Sequence, residues 1–208
     1  HQRGDQRADG EEQGIVPRYT VVCDPDPEIT ANYLRKPVSE CTYLVATQCH
    51  ETVFKALEGF PIAMWNCYSE DHKDIYAEIE PAEWHAISGG CTVSLRTIAM
   101  MIMFGFQEHH LFGMDSCLGY EDDHHAYAYS DPSKEQLSKI YEIKIGVGSP
   151  GERTYRCEGY QLAQAVHFKE FLGIYGEIFN PVFHGDGLLA DLMTNIRAEA
   201  QRLKELAA

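Results

Sequence analysis

The residues best suited to chemistry in this chain are Gly89-Gly90-Cys91-Thr92, with Arg96 just beyond them, and Asp115. A glycine pair lets the backbone take positive φ angles that other residues resist. Where such a pair feeds a helix, it offers N–H groups without helical partners at the positive end of the helix dipole, and phosphate is the obvious anion for such a turn. Arg96 agrees, because a cation in the first turn of a helix opposes the dipole unless an anion or a carboxylate lies within reach. The simpler alternative is a tight strand-to-helix turn, with Arg96 paired to an acid such as Asp115. Asp115 itself ends an apolar strand, the place where open α/β sheets put their ligands. A carboxylate there can hold a divalent cation such as Mg2+ on a diphosphate, accept a proton, or cap a neighbouring turn.

A second group of polar residues follows the ends of other apolar runs: Asp24 after Tyr19 to Cys23, Gln48 and His50 after Thr42 to Thr47, and Trp65 and Asn66 within Pro61 to Cys67. In a parallel sheet these positions line one edge together with Ser88 to Thr92 and Asp115. Asp24 also suits ordinary turn chemistry, since Asp-Pro favours turns. The run Glu121-Asp122-Asp123-His124-His125 is rich in metal-ligand types, but adjacent loop residues rarely converge on one ion and zinc sites use spaced ligands. His125 alone is the stronger choice, as a hydrogen-bond donor to phosphate or a general acid/base. Of His109 and His110, which flank a strand, one is expected to pack in the sheet. Cys91 lacks a base beside it in sequence and is read as structural.

These residues need elements to hold them. Val93 to Phe104 is apolar nearly all round, as a helix within a core should be, with Thr92 as its N-cap and Gly105 at its close. The strand expected before it runs from Trp84 to Ser88, and the one after it from His109 to Gly113. The other strands are continuous apolar stretches rather than alternating ones, each followed by a helical pattern. That predicts an α/β fold, Rossmann-like and three-layered, with a mainly parallel sheet. Ile140 to Val147 and Arg153 to Cys157 flank Gly148-Ser149-Pro150-Gly151 and predict an added β-hairpin. Its Lys144, Arg153 and Arg156 concentrate positive charge and are expected to form a lid over an anionic ligand. Beyond it, a helix from Gly159 to Leu172 buries Leu162, Ala165, Val166 and Leu172. A strand is expected near Tyr175 to Phe179. After His184-Gly185-Asp186-Gly187 comes a final helix with Leu189, Leu192, Met193, Ile196 and Leu203 as its buried stripe.

The 208 residues are read as one domain over 15–208, preceded by a polar arm over 1–14 that has no periodic apolar face. A strand is expected to precede Ile15, so that the chain begins part-way into a domain. Seventeen Lys+Arg against 32 Asp+Glu give a net charge of -15, which argues against attraction to nucleic acid or an anionic membrane surface. Seven cysteines without a C-x-x-C pair indicate neither a disulfide framework nor a zinc ribbon, and fit reduced thiols in a cytoplasmic setting. No apolar run approaches the ~20 residues of a membrane helix. Oligomeric state is left open.

The block GGCTVSLRTIAMMIMFGFQEHHLFGMD, followed by His125-Ala126, resembles the family of 6-hydroxymethylpterin diphosphokinase MptE-like proteins, which also contains the bacterial motility accessory factors linked to flagellin glycosylation. Their shared pattern is a glycine pair, an apolar helix, a glycine, a hydrophobic strand, Gly-x-Asp and a later His-Ala. The segments IVPRYTVVCDPDPE and YLVATQCHETVF look like the preceding strand-and-turn units, so the resemblance spans Ile15 to Ala126. The family's Gly-rich turn after a first strand has no counterpart here. The resemblance implies a Rossmann-like fold with Gly89, Gly90, Cys91 and Thr92 near a diphosphate, and Asp24, Asp115 and His125 at the pocket. It implies a transferase acting on ATP or a nucleotide sugar, or a nucleotide-binding module without catalysis.

Overall fold

The computed structural model describes residues 15–27, 34, 36–69, 74, 78, 86–119 and 139–207. His125 and the acidic run before it, the arm 1–14 and most of the helix expected over Glu28 to Leu34 lie outside the described residues. The fold is α/β, with a parallel sheet and a separate antiparallel hairpin. Its contacts divide into two compact units.

The first unit contains β1 (Tyr19–Val22), β2 (Thr42–Ala46), α1 (Glu51–Ala56), β3 (Ile62–Cys67) and β4 (Ala86–Ile87). It also takes Arg96–Met101 from the middle of α2 (Val93–Met103). The strands lie in the order β1-β2-β3-β4, every neighbouring pair parallel. Sequential order with parallel pairing requires a crossover between neighbours. α1 is the crossover from β2 to β3, capped by His50, whose Nδ1 accepts from the Thr52 N–H. Gly59, at φ 86°, turns the chain back into β3. The apolar strands β2 and β3 bury Tyr43, Leu44, Val45, Ala46 and Trp65, with Val53 and Leu57 over them. β4 covers Ala86–Ile87 of the strand expected over Trp84 to Ser88; Trp84 and His85 lie outside the described residues.

The second unit takes Gly90–Leu95 and the chain from Ile102. It contains β5 (Glu108–Phe112), β6 (Ile140–Ile145), β7 (Arg153–Glu158), α3 (Gly159–Tyr175), β8 (Asn180–His184) and α4 (Leu188–Ala207). β5 pairs in parallel with β8, and β6 with β7 as the predicted hairpin, Ile143 opposite Tyr155. The core is aromatic and aliphatic: Phe168, Phe171 and Phe179 meet edge to face, beside Leu188 and Leu189. Edge-to-face contact is the geometry that ring quadrupoles favour.

Three readings of this unit are corrected. The last strand is Asn180–His184, not Tyr175 to Phe179, because α3 runs on to Tyr175 and a turn closed by Phe179 N–H on Tyr175 O separates the two. In α3 the buried stripe is Gln161, Gln164, Ala165, Phe168 and Phe171, while Val166 is 51% exposed. In α4 Leu203 is 54% exposed, so the buried stripe ends earlier in the helix than its leucines suggest.

Candidate functional site

The glycine turn is built as its composition predicts: Gly89 has φ 138° and Gly90 φ 96°. Gly90 is required for a further reason. A Cβ there would lie 2.7 Å from the Cβ of His167 on α3, so the helix occupies the space a side chain needs. The turn's N–H groups are not all open, because Cys91 N–H donates to His167 Nδ1 at 3.1 Å. In that bond Nδ1 is the acceptor, which leaves Nε2 as the ring's donor. Thr92 Oγ1 accepts weakly from Leu95 N–H at 3.5 Å, the N-cap contact expected of it.

Gln164, one turn before His167 on α3, ties this turn to the residue after Asp115. Its Nε2 donates to Thr92 Oγ1 and to Ser94 Oγ, both at 3.0 Å. Its Oε1 lies 3.0 Å from Ser116 Oγ, whose single proton is shared with the Gln161 carbonyl at 2.8 Å. Gln164 and Ser116 are both buried, where an unsatisfied amide or hydroxyl is costly, and here each finds partners. Ser116 has φ 55°, the only positive φ of a non-glycine among the described residues. A strained backbone held by buried hydrogen bonds, next to a carboxylate at a strand end, is the kind of outlier that gathers at functional sites.

Asp115 follows β5 and, though the residue keeps an exposed face, its carboxyl is partly covered. The turn Gly185-Asp186-Gly187 wraps it, both glycines standing where a Cβ would collide with Asp115. Leu189 N–H, in the first turn of α4, donates to the Asp115 carbonyl at 3.4 Å. Partial burial, and secondarily the neighbouring Asp186 carboxylate, push the Asp115 carboxyl above the ordinary carboxylate range. Two carboxylates that raise proton affinity also suit a divalent cation, which relieves the same repulsion. Among the described residues no three His, Cys, Asp or Glu side chains converge closely enough to hold a metal ion by themselves. Asp115 and Asp186 fit the narrower case of Mg2+ held by one or two carboxylates with the rest of its shell from phosphate and water.

The cations expected to face a ligand have partners within the protein. Arg153 bridges Asp186 and Asp191, each at 3.3 Å. Asp191 also accepts from the Tyr155 hydroxyl at 2.6 Å. Burial, reinforced by that hydrogen bond, holds the Tyr155 phenol well above its usual range. Lys144 pairs with Glu152 at 3.4 Å, and Arg156 is also engaged. Arg153 thus braces the hairpin against the start of α4 instead of standing free as part of a lid. In the first unit, Arg96 donates to the main-chain carbonyls of Tyr68 and Ile87, so neither the proposed anion nor Asp115 is needed to explain its charge.

The other strand-end residues lie in the first unit. Asp24 accepts from Asp26 N–H at 2.8 Å, a local turn. Gln48 Nε2 donates to the Cys23 carbonyl at 3.2 Å, and Thr47 donates to Asn66 at 2.7 Å. His109 is the buried member of the histidine pair, edge-on to Phe179 with neither ring nitrogen hydrogen-bonded, and burial lowers its proton affinity. His110 is exposed, its Nδ1 2.7 Å from His184 Nε2. Sequence reasoning missed Gln164, Ser116 and His167. A glutamine or a histidine on a helix reads as surface, and only the pair of glutamines three apart on the Phe168 side of α3 hints otherwise. No helix among the described residues is long and apolar enough to cross a membrane.

No protein-family model matches the chain, and no curated protein sequence does. Among solved structures, the fold is similar to that of the MAf glycosyltransferase from Magnetospirillum magneticum AMB-1, with a TM-score of 0.59 and 16% sequence identity. The match covers 85% of this chain and 26% of that one, so the chain spans about a quarter of that protein's length. At this identity the likeness is one of fold.

Proposed function

We propose that this chain is a transferase-like protein that binds a nucleotide or other diphosphate-linked substrate, and that glycosyl transfer from a nucleotide sugar is its chemistry. The observation that carries the reading is the fold shared with a MAf glycosyltransferase over most of this chain. In the proposed site Gly89, Gly90, Cys91 and Thr92 line the phosphates, with the N–H of Cys91 exchanging His167 for a phosphate oxygen. Asp115, helped by Asp186, holds Mg2+ on the diphosphate or accepts the proton of the acceptor hydroxyl. Such transfer rests on charge stabilisation and positioning, which fixed N–H groups and a cation provide. His125 assists in proton transfer. The finer resemblance to MptE-like diphosphokinases makes ATP the rival ligand.

Thermal-shift titration with UDP- and CMP-sugars, ATP and GTP, each with and without Mg2+, tests the reading. Binding to the native state alone raises the midpoint as ligand exceeds its dissociation constant. The expected result is a rise with a nucleotide sugar that Mg2+ enlarges, and an Asp115→Asn variant that keeps the rise seen without Mg2+ while losing turnover. A rise with ATP alone would turn the assignment to diphosphoryl transfer. No rise with any nucleotide would remove the transferase reading.

A further inference from the structure

At the carboxyl edge of the four-stranded sheet, Cys23 after β1 and Cys67 at the end of β3 bring their sulfurs to 3.2 Å across the end of β2. The two are 44 residues apart in sequence, so only the strand order β1-β2-β3 makes them neighbours. We propose that Cys23 and Cys67 are an oxidative modification site, a dithiol that hydrogen peroxide converts reversibly to a disulfide.

The surroundings assign the roles. Cys67 is assigned as the nucleophile: the hydrogen bond between the two sulfurs favours its thiolate, and the Arg96 guanidinium, which donates to the carbonyls of Tyr68 and Ile87 at this end of the strands, and Gln48 add to it against burial. Cys23 is held protonated by the same hydrogen bond and by burial. Cys49, in the same region, is pushed up to about 11 by burial and is a poor competitor. Cys67 is 9% exposed and Cys23 half-buried, so a small oxidant is the reagent that fits the pair. The thiolate, rather than the thiol, reacts with peroxide.

In the first step the Cys67 thiolate attacks one peroxide oxygen and the O–O bond breaks. Cys67 becomes a sulfenic acid, and the hydroxide that leaves is protonated to water. In the second step the Cys23 sulfur attacks the Cys67 sulfur, the S–O bond breaks, and the hydroxyl leaves as water with the Cys23 proton. The sum is two thiols and one peroxide giving one disulfide and two waters. A disulfide holds its sulfurs about 2.05 Å apart, so the pair must close by roughly 1 Å. The bond would tie the end of β1 to that of β3 and move the Cys23 carbonyl and sulfur to which Gln48 donates.

The test is peroxide treatment of the whole chain, at low protein concentration and in a Cys91→Ser background that removes the exposed thiol. Alkylation and peptide mapping under non-reducing conditions follow. The expected product is a single linked pair of peptides carrying Cys23 and Cys67, released by dithiothreitol. Cys23→Ser should stop at a sulfenic acid on Cys67 that dimedone traps, whereas Cys67→Ser should leave Cys23 unlabelled. Iodoacetamide labelling of Cys67 in the parent chain should set in at lower pH than that of Cys49. Recovery of Cys23 and Cys67 as separate alkylated peptides after treatment would overturn the proposal, as would oxidation of Cys67 to sulfinic acid without the link. Both readouts come from the parent cysteines, so a serine variant that fails to fold does not remove the test.

Discussion

Gly187 lies so close to the main chain of Asp115 that a Cβ added to it would fall 2.4 Å from the Asp115 Cα and 2.6 Å from its carbonyl oxygen. Backbone cannot rotate away, so the glycine is what lets the start of α4 approach the end of β5. Gly187→Ala is expected to cost about 1–3 kcal/mol, the range of overpacking in a tight interior. Gly185→Ala meets only the Asp115 Oδ1 at 2.9 Å, a side-chain end that can swing aside, and should cost less. Urea denaturation of the two variants checks the order, and equal costs would contradict the main-chain contact.

Asp115 should make stability depend on pH in a defined sense. Its folded-state proton affinity is raised, first by burial and then by Asp186, above the unfolded value near 3.8. Stability is therefore fully present below that value and falls as pH rises through the folded one. Asp115→Asn removes the loss, so the variant should melt above the parent at pH 7 and no higher at pH 3. Differential scanning at the two pH values separates this from a general packing effect, which would appear at both.

Ser116 and Gln164 should differ in how they fail. Gln164→Ala removes three hydrogen bonds and opens a buried gap, and should cost about 2–3 kcal/mol in denaturant unfolding. Ser116→Ala loses hydrogen bonds while keeping a side chain at φ 55°. Ser116→Gly loses the same bonds but relaxes the backbone, and is expected to be the milder change of the two.

Gly90→Val is a poor probe of phosphate binding, since the variant meets His167 before any ligand does and cannot relax at φ 96°. Gly90→Ala should destabilise the parent, and His167→Gly, which removes the Cβ that the new methyl meets, should recover part but not all of that loss in a double-mutant cycle. The recovered part measures the clash, the remainder the backbone conformation. Full additivity of the two changes in unfolding free energy would deny their contact.

The parts of the fold legible beforehand are those with a strong apolar period. α2, the strands β2 and β3 and the hairpin fall where their patterns put them, because packing and turn chemistry reinforce each other there. β8 was displaced because Tyr175 to Phe179 has a strand's composition while sitting at the end of a helix already committed to packing Phe168 and Phe171. The glycine turn and Asp115 were legible as types; their connection was not. It runs through Gln164 and Ser116, polar residues whose burial depends on tertiary contacts, and through Gly185 and Gly187, which read as no more than a helix start. Arg96 misled for a related reason: its partners are carbonyl groups, which carry no side-chain signature.

The Gln164 amide uses both of its N–H bonds and its oxygen on residues from two other segments, Thr92 and Ser94 on one side and Ser116 on the other. It is therefore tied from both ends, because turning the amide over would set its nitrogen against Ser116 Oγ and its oxygen against Thr92 and Ser94, and all three hydroxyls would have to reorient with it. Evolution faces the same restriction. A change at any one of positions 92, 94, 116 and 164 leaves a buried group unmatched unless another changes with it, so among related chains these positions should exchange as a set, apolar for apolar or polar for polar, and rarely one at a time.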